Sequence, residues 1–368
     1  MKKLDEAVRL MAEQGLGGLI VYSNGTVNIL RASYLQYFAG FALMGPNNAA
    51  VVSRTGEVVL LVEPAWDARR AMRRSWIGDV RATNDFPEAL RTVIQSLGID
   101  GTVGLVGGSE MPHWVYEPLY KQVQVRPADD IIDTIARTKS AEELALARKV
   151  AAIADIGFEA LHRFSRVGVR EYELVAEMEY AMRCAGADDN FILMSSGSHN
   201  TALRNPTDRR LTPGDIVIGE ITPVCQGQFI QLCRTVVIGE PSPVLVEKYD
   251  LLIRAWLAAV GRVKAHEPAS VIASTIDGIL SGAGYARYCQ PPYMRTRGHG
   301  FGIGSVAPGA TLDRETTSPL LENQVVVVHP NQYLPETGYL ACGETYLVGA
   351  SGAERLSRTE TKLYVNEA

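Results

Sequence analysis

Apolar and polar positions along the chain fall into two regimes. Over residues 4–14, Leu4, Ala7, Val8 and Met11 recur at helical spacing and predict an amphipathic helix. Gly18-Leu19-Ile20-Val21-Tyr22 is a short, unbroken apolar run, as in a buried strand. Two further runs, 49–52 and 58–62, flank Thr55-Gly56 and read as a hairpin. Helices near 65–74 and 86–97, a strand at 103–106 and a helix at 111–120 continue the alternation up to Ile131–Ala136. Such alternation predicts a small α/β domain.

A long helical pattern then spans 139–164, opened by Ser140 and Glu143 at capping-box spacing. A second helix covers about 170–185. Strand patterns follow at 192–194, 216–222 and 229–238, then helices at 245–265 and 268–282, then strands at 325–328 and 339–348. The change of character near residue 137 divides the chain into domains 1–137 and 138–368. No repeat is short enough to make a solenoid.

Composition narrows the function classes. An apolar fraction of 46% is enough for two cores. The net charge of −5, without a basic run or aromatic-basic stripe, argues against a nucleic-acid binder. No apolar run reaches ~18 residues, so no membrane helix is expected. The N-terminus lacks the apolar core of a signal peptide. Five scattered cysteines without paired spacing read as reduced thiols and imply a cytoplasmic protein.

Candidate chemistry centres on Gly298-His299-Gly300-Phe301-Gly302-Ile303-Gly304. Four glycines let the backbone bring the His299 imidazole close to a ligand. Histidine is the side chain most ready to transfer protons near neutral pH. Arg295 and Arg297, just upstream, are placed to hold an anion. The competing reading is a glycine-rich loop with an incidental histidine.

Several segments in order carry a resemblance. Arg204-Asn205-Pro206-Thr207-Asp208-Arg209 with Pro213-Gly214-Asp215 is similar to the His-x-x-Pro-Ser/Thr-Asp-Arg…Gly-Asp segment of the pita-bread fold family. Gly227, Arg234-Thr235 and Gly298-His299-Gly300 fit its following strand and its histidine loop. The family includes methionine aminopeptidase, aminopeptidase P, prolidase and creatinase. The resemblance covers nearly the whole chain. It implies a two-domain α/β protein: a small N-terminal creatinase/prolidase-like α/β domain and a C-terminal α+β pita-bread domain. It also implies a homodimer, with Tyr34–Phe41 as a segment that would reach the partner's site.

The family's metallopeptidases hold two metal ions with Asp, Asp, His, Glu and Glu. By resemblance these positions fall on Glu220, Gln231, His299, His329 and either Gly343 or Glu344. A dinuclear centre needs bridging carboxylates, and Gln231 is neutral. The expectation is therefore a metal-independent enzyme, without cofactor, that cleaves a C–N bond of a small polar molecule. His299 would be the general acid/base, with Glu220 and His329 beside it. Two alternatives stay open: a mononuclear metalloenzyme using Glu220, His299 and His329, and a non-catalytic binding protein.

Creatinase is the family precedent for metal-free chemistry, but its site is not shared. Arg204 stands in place of its catalytic histidine, and Cys233 in place of a glutamate, so creatine is not the expected substrate. Strand alternation puts Phe229, Gln231 and Cys233 on one face. Cys233 reads either as a nucleophile activated by a nearby cation or as a small buried hydrophobe. Arg204, Gln231, Phe229, Glu344, Arg297, His199 and Tyr339 are the expected substrate-binding residues.

Overall fold

The computed structural model describes residues 2–25, 33–294, 296–304 and 311–368. The chain divides into two compact units, Met1–Ala136 and Arg137–Ala368.

In the first unit, α1 (Lys2–Glu13) buries Ala7 and Met11 and leads into β1 (Gly18–Ser23). There follow α2 (Tyr34–Ala39), β2 (Asn47–Ser53), β3 (Val58–Glu63), α3 (Ala68–Arg74), β4 (Asp79–Ala82), α4 (Phe86–Ser96), β5 (Thr102–Val106), α5 (His113–Gln122), β6 (Gln124–Pro127) and α6 (Asp129–Arg137). The strands form one sheet in the order β4-β3-β2-β1-β5-β6. β1 sits between antiparallel β2 and parallel β5 and is buried at every residue, which explains its unbroken apolar run. The edge strands β4 and β6 are four residues each and carry Asp79, Arg81, Gln124 and Arg126. Short, polar edges of this kind resist pairing with another chain.

The second unit opens with α7 (Ala141–Phe164), whose Ser140 and Glu143 form both halves of a capping box. α8 (Glu171–Cys184), β7 (Asp189–Gly197), β8 (Ile216–Cys225), β9 (Gln228–Phe229), β10 (Leu232–Ile238), α9 (Pro243–Val260) and α10 (Ala269–Leu280) follow. The chain then adds β11 (Gly298–Gly300), β12 (Val325–Val328), β13 (Gln332–Leu334), β14 (Gly338–Leu340), β15 (Gly343–Val348), β16 (Ala353–Arg355) and β17 (Tyr364–Asn366). Its main sheet runs β11-β12-β15-β10-β8-β7, with β9, β16 and β17 attached, while β13 and β14 make a separate hairpin.

Both faces of this sheet are covered. Ile218 and Cys233 join Trp256 of α9 and Ile272 of α10 in one core cluster. On the other face α7 approaches so closely that a Cβ at Gly219 would stand 2.8 Å from Leu161. The fold is thus the α/β unit and α+β unit expected from the sequence. It differs in detail. The predicted strand 229–238 is interrupted at Ile230-Gln231, and 339–348 at Ala341-Cys342. The histidine loop contains a strand, β11, because Gly298 packs against β12 where no side chain fits: a Cβ there would lie 2.0 Å from the Val327 carbonyl.

Candidate active site

Register across the main sheet brings the site together. One row of directly opposed residues is Leu193, Glu220, Cys233 and Gly343. His329, one residue beyond β12, closes this row, since a Cβ on Gly343 would stand 2.6 Å from its Cα and Cβ. A second row is Phe191–Thr222 at one end and Thr345–Val327–His299 at the other. Gln231 falls between them: it lies at the register shared by the Leu232–Ile221 and Phe229–Val224 pairs, which sets it opposite Thr222. The rows are two residues apart, so their side chains share one face. Phe229 is on that face too, with its N–H donating to the Gly302 carbonyl at 3.1 Å.

The same register resolves the fifth family position. Gly343 is on the site face, and Glu344 points the opposite way. There Glu344 accepts from Arg234 at 2.9 Å and Tyr346 at 3.0 Å and also binds Arg355 and Ser357. Its lone pairs are fully engaged, so it does not bind substrate as expected.

The Glu220 carboxyl receives hydrogen bonds from Gln231 and, at 3.8 Å, from the Cys233 thiol. Burial nevertheless pushes its pKa up to about 7. His299 and His329 lie with ring centroids 5.6 Å apart, and His299 packs edge-on to Phe301 at 4.8 Å. Burial lowers their pKa values to about 4 and about 3, so both rings are neutral at pH 7. The Nδ1 atom of His299 faces the Gly300 carbonyl at 3.2 Å, leaving Nε2 as its available ring atom. His329 Nδ1 is buried without a partner, as are Gln231 Oε1 and Thr222 Oγ1.

Other expected site residues serve the scaffold. Cys233 is fully buried, and burial together with the Glu220 charge drives its thiol pKa well up, so it is no thiolate nucleophile. Arg297 is fully buried and bonds Asp277, the Asn331 carbonyl and Gln332, so it holds no substrate anion. Arg204 pairs at 3.7 Å with Glu171, a buried carboxylate that also binds Ser196 and Thr207. His199 is exposed and packs on Tyr333, with Nε2 at 3.1 Å from the Pro335 carbonyl. Tyr339 hydrogen-bonds Asn331, and its burial, followed by the nearby Glu220 charge, raises its pKa. In the first unit Leu35, Phe38 and Phe41 are buried, so the Tyr34–Phe41 segment turns its apolar side inward. Arg295 lies outside the described residues.

Asn331 and Thr222 escaped sequence reasoning. Asn331 donates to Cys233 at 3.8 Å and accepts from the Cys342 N–H at 2.9 Å. It lies two residues beyond His329, and Thr222 two beyond Glu220; strand alternation was the available signal in the second case.

Comparison with known proteins places this site in a lineage. The sequence profile of metallopeptidase family M24 matches residues 145–350. The chain belongs to this family. The creatinase/prolidase N-terminal domain matches residues 3–137. An Xaa-Pro dipeptidase of Pyrococcus horikoshii is 25% identical over 98% of both chains, and one of Pyrococcus furiosus 25% over 98% of this chain and 99% of its own. Among solved structures, an Xaa-Pro dipeptidase from Bacillus anthracis superposes with a TM-score of 0.86 at 22% identity, covering 100% of this chain and 99% of that one.

These findings overturn the expected metal-independent hydrolase outside the peptidases. The family is one of metallopeptidases, and the two Pyrococcus relatives are Xaa-Pro dipeptidases. Yet the residues do not fit a dinuclear centre. Gln231 offers a neutral amide where a bridging carboxylate is needed, and Gly343 offers no donor, its side-chain space being filled by His329. Glu220, His299 and His329 fit a single ion in donor type: two neutral imidazoles and one carboxylate. In this conformation no three His, Cys, Asp or Glu side chains among the described residues converge on one point, so holding an ion requires a side-chain rotation.

Proposed function

We propose that this chain is a metal-dependent hydrolase of small peptide-like molecules that uses a single divalent ion held by Glu220, His299 and His329. One observation carries the reading. Three of the five family ligand positions keep a donor on one sheet face, and His329 Nδ1 is buried there without a partner. The substrate class follows the Xaa-Pro dipeptidases that the chain resembles along its length.

When bound, such an ion supplies Lewis acidity toward the carbonyl of the scissile amide. The chain's own groups set the stage. Gln231 and Cys233 orient the Glu220 carboxyl by hydrogen bonds. Phe301 fixes the plane of His299. Asn331 ties Tyr339 and Cys233 to the same region. In this reading the protein is a cytoplasmic homodimer, and its mass in solution checks the dimer.

The test is release of proline from an Xaa-Pro dipeptide. Activity lost to a chelator and regained with a divalent ion supports the reading, and activity indifferent to chelation contradicts it. The lack of convergence among the donors favours a second reading, a protein that binds such molecules without cleaving them. It would show ligand-induced stabilisation and no turnover at any metal concentration.

A further inference from the structure

Two buried oxygens on the site face have no partner: Gln231 Oε1 and Thr222 Oγ1. Gln231 is 4% exposed and Thr222 is 0% exposed. An unmet polar atom at such depth is costly and calls for an explanation. Their register places them opposite each other on adjacent strands, where side chains meet. Thr345 does not satisfy Gln231 Oε1, because its hydroxyl is engaged with the Gln231 backbone N–H and carbonyl at 3.0 and 2.9 Å. The Gln231 side chain hydrogen-bonds the Glu220 carboxyl, a bond that only its amide nitrogen can donate.

The charges around this oxygen pair select its ligand. Glu220 contributes a carboxyl on the same face. The nearby arginines do not compete. Arg234 points to the opposite face and is held by Glu344, and Arg297 is engaged by Asp277, Asn331 and Gln332. An acceptor pair beside a carboxyl, with no cationic side chain bonded to it among the described residues, suits a cationic N–H donor.

We propose that Gln231 Oε1 and Thr222 Oγ1, backed by Glu220, form a subsite for a protonated primary amine of the substrate. The subsite deepens the proposed hydrolase reading and rests on it for the substrate class. It gives a physical reason for glutamine at the position where the family's metallopeptidases carry a second aspartate. The substrate's own ammonium takes the place of a second cation, and a neutral amide oxygen receives it without requiring a metal.

The experiment measures binding, not turnover, on the metal-stripped full chain. Calorimetry compares alanyl-proline with N-acetyl-alanyl-proline, which lacks the ammonium. The free amine is expected to bind at least ~10-fold more tightly, as befits loss of one charge-assisted hydrogen bond. Gln231→Leu and Thr222→Val should each shrink that ratio, and Gln231→Glu should enlarge it. Thermal melting of each variant reports whether it folds, and the glutamate variant keeps the test decisive where an apolar one does not. Equal affinity for the two probes, no binding of either, or a ratio unmoved by Gln231→Glu overturns the subsite. Failure of the hydrolase reading shows separately, as absent proline release by the metal-loaded protein.

Discussion

At the scale of single residues, the environment of a side chain decides its role more than its type does. Cys233 shares a face with the site, yet its thiol is buried beside a carboxyl and stays protonated. Cys184 is the exposed cysteine; the other four are buried. Treatment of the folded protein with iodoacetamide at neutral pH should therefore add about one adduct per chain by intact mass, at Cys184. Rapid modification of Cys233 would restore it as a candidate nucleophile. Arg234 and Glu344 make the opposite point, two charges fully buried and fully bonded. Glu344→Ala would strand the guanidinium and should cost ~3–5 kcal/mol in urea unfolding. A loss below ~1 kcal/mol would show that the pair is not needed. Sequence alone left Gly343 and Glu344 interchangeable. Strand register separates them, and register is a property of pairing partners far along the chain.

At the scale of elements, long buried segments were legible and short ones were not. β1 and α7 declare themselves by an apolar run and a capping box. The edge strands β4 and β6 are too short and too polar to alternate clearly. Of the hairpin β13–β14, the sequence pattern covers only β14, inside a longer strand at 339–348, and misses β13, because the hairpin's tip is shaped by a distant loop. Gly338, at φ +76°, sits against that loop, and a Cβ there would stand 2.5 Å from the Asn200 carbonyl oxygen. Gly338→Ala should therefore lower stability by ~2 kcal/mol or more and loosen Tyr339, which pairs with Tyr333 across the hairpin. An unchanged urea midpoint would contradict that packing. The site itself was half legible. His299 and Glu220 stood out by their sequence surroundings, while Thr222 and Asn331 gain meaning only from what stands opposite them.

At the scale of the whole molecule, two units with separate cores give stability two origins. In the first unit, burial raises the Asp133 pKa to about 6, despite a hydrogen bond from Tyr34 at 3.3 Å. A group whose folded pKa lies above its unfolded value near 3.8 favours folding most at low pH. Its contribution is complete below about pH 4 and is lost as pH rises through 6, by about 1 kcal/mol after allowing for its partial exposure. Asp133→Asn should flatten the pH dependence of the first unit's unfolding between pH 4 and 7, and an unchanged slope would show that Asp133 titrates normally. The two-domain family resemblance was legible along nearly the whole chain. The proposed metal dependence was not, because the lost ligands at 231 and 343 argued for a metal-free enzyme while membership of a metallopeptidase family argues for a metal. The account turns on a centre reduced from two ions to one. Elemental analysis of the full chain, loaded with a divalent ion and freed of excess, tests this most directly. The expected result is about one ion per chain, lost on His329→Ala. A value near zero, or near two, would contradict it.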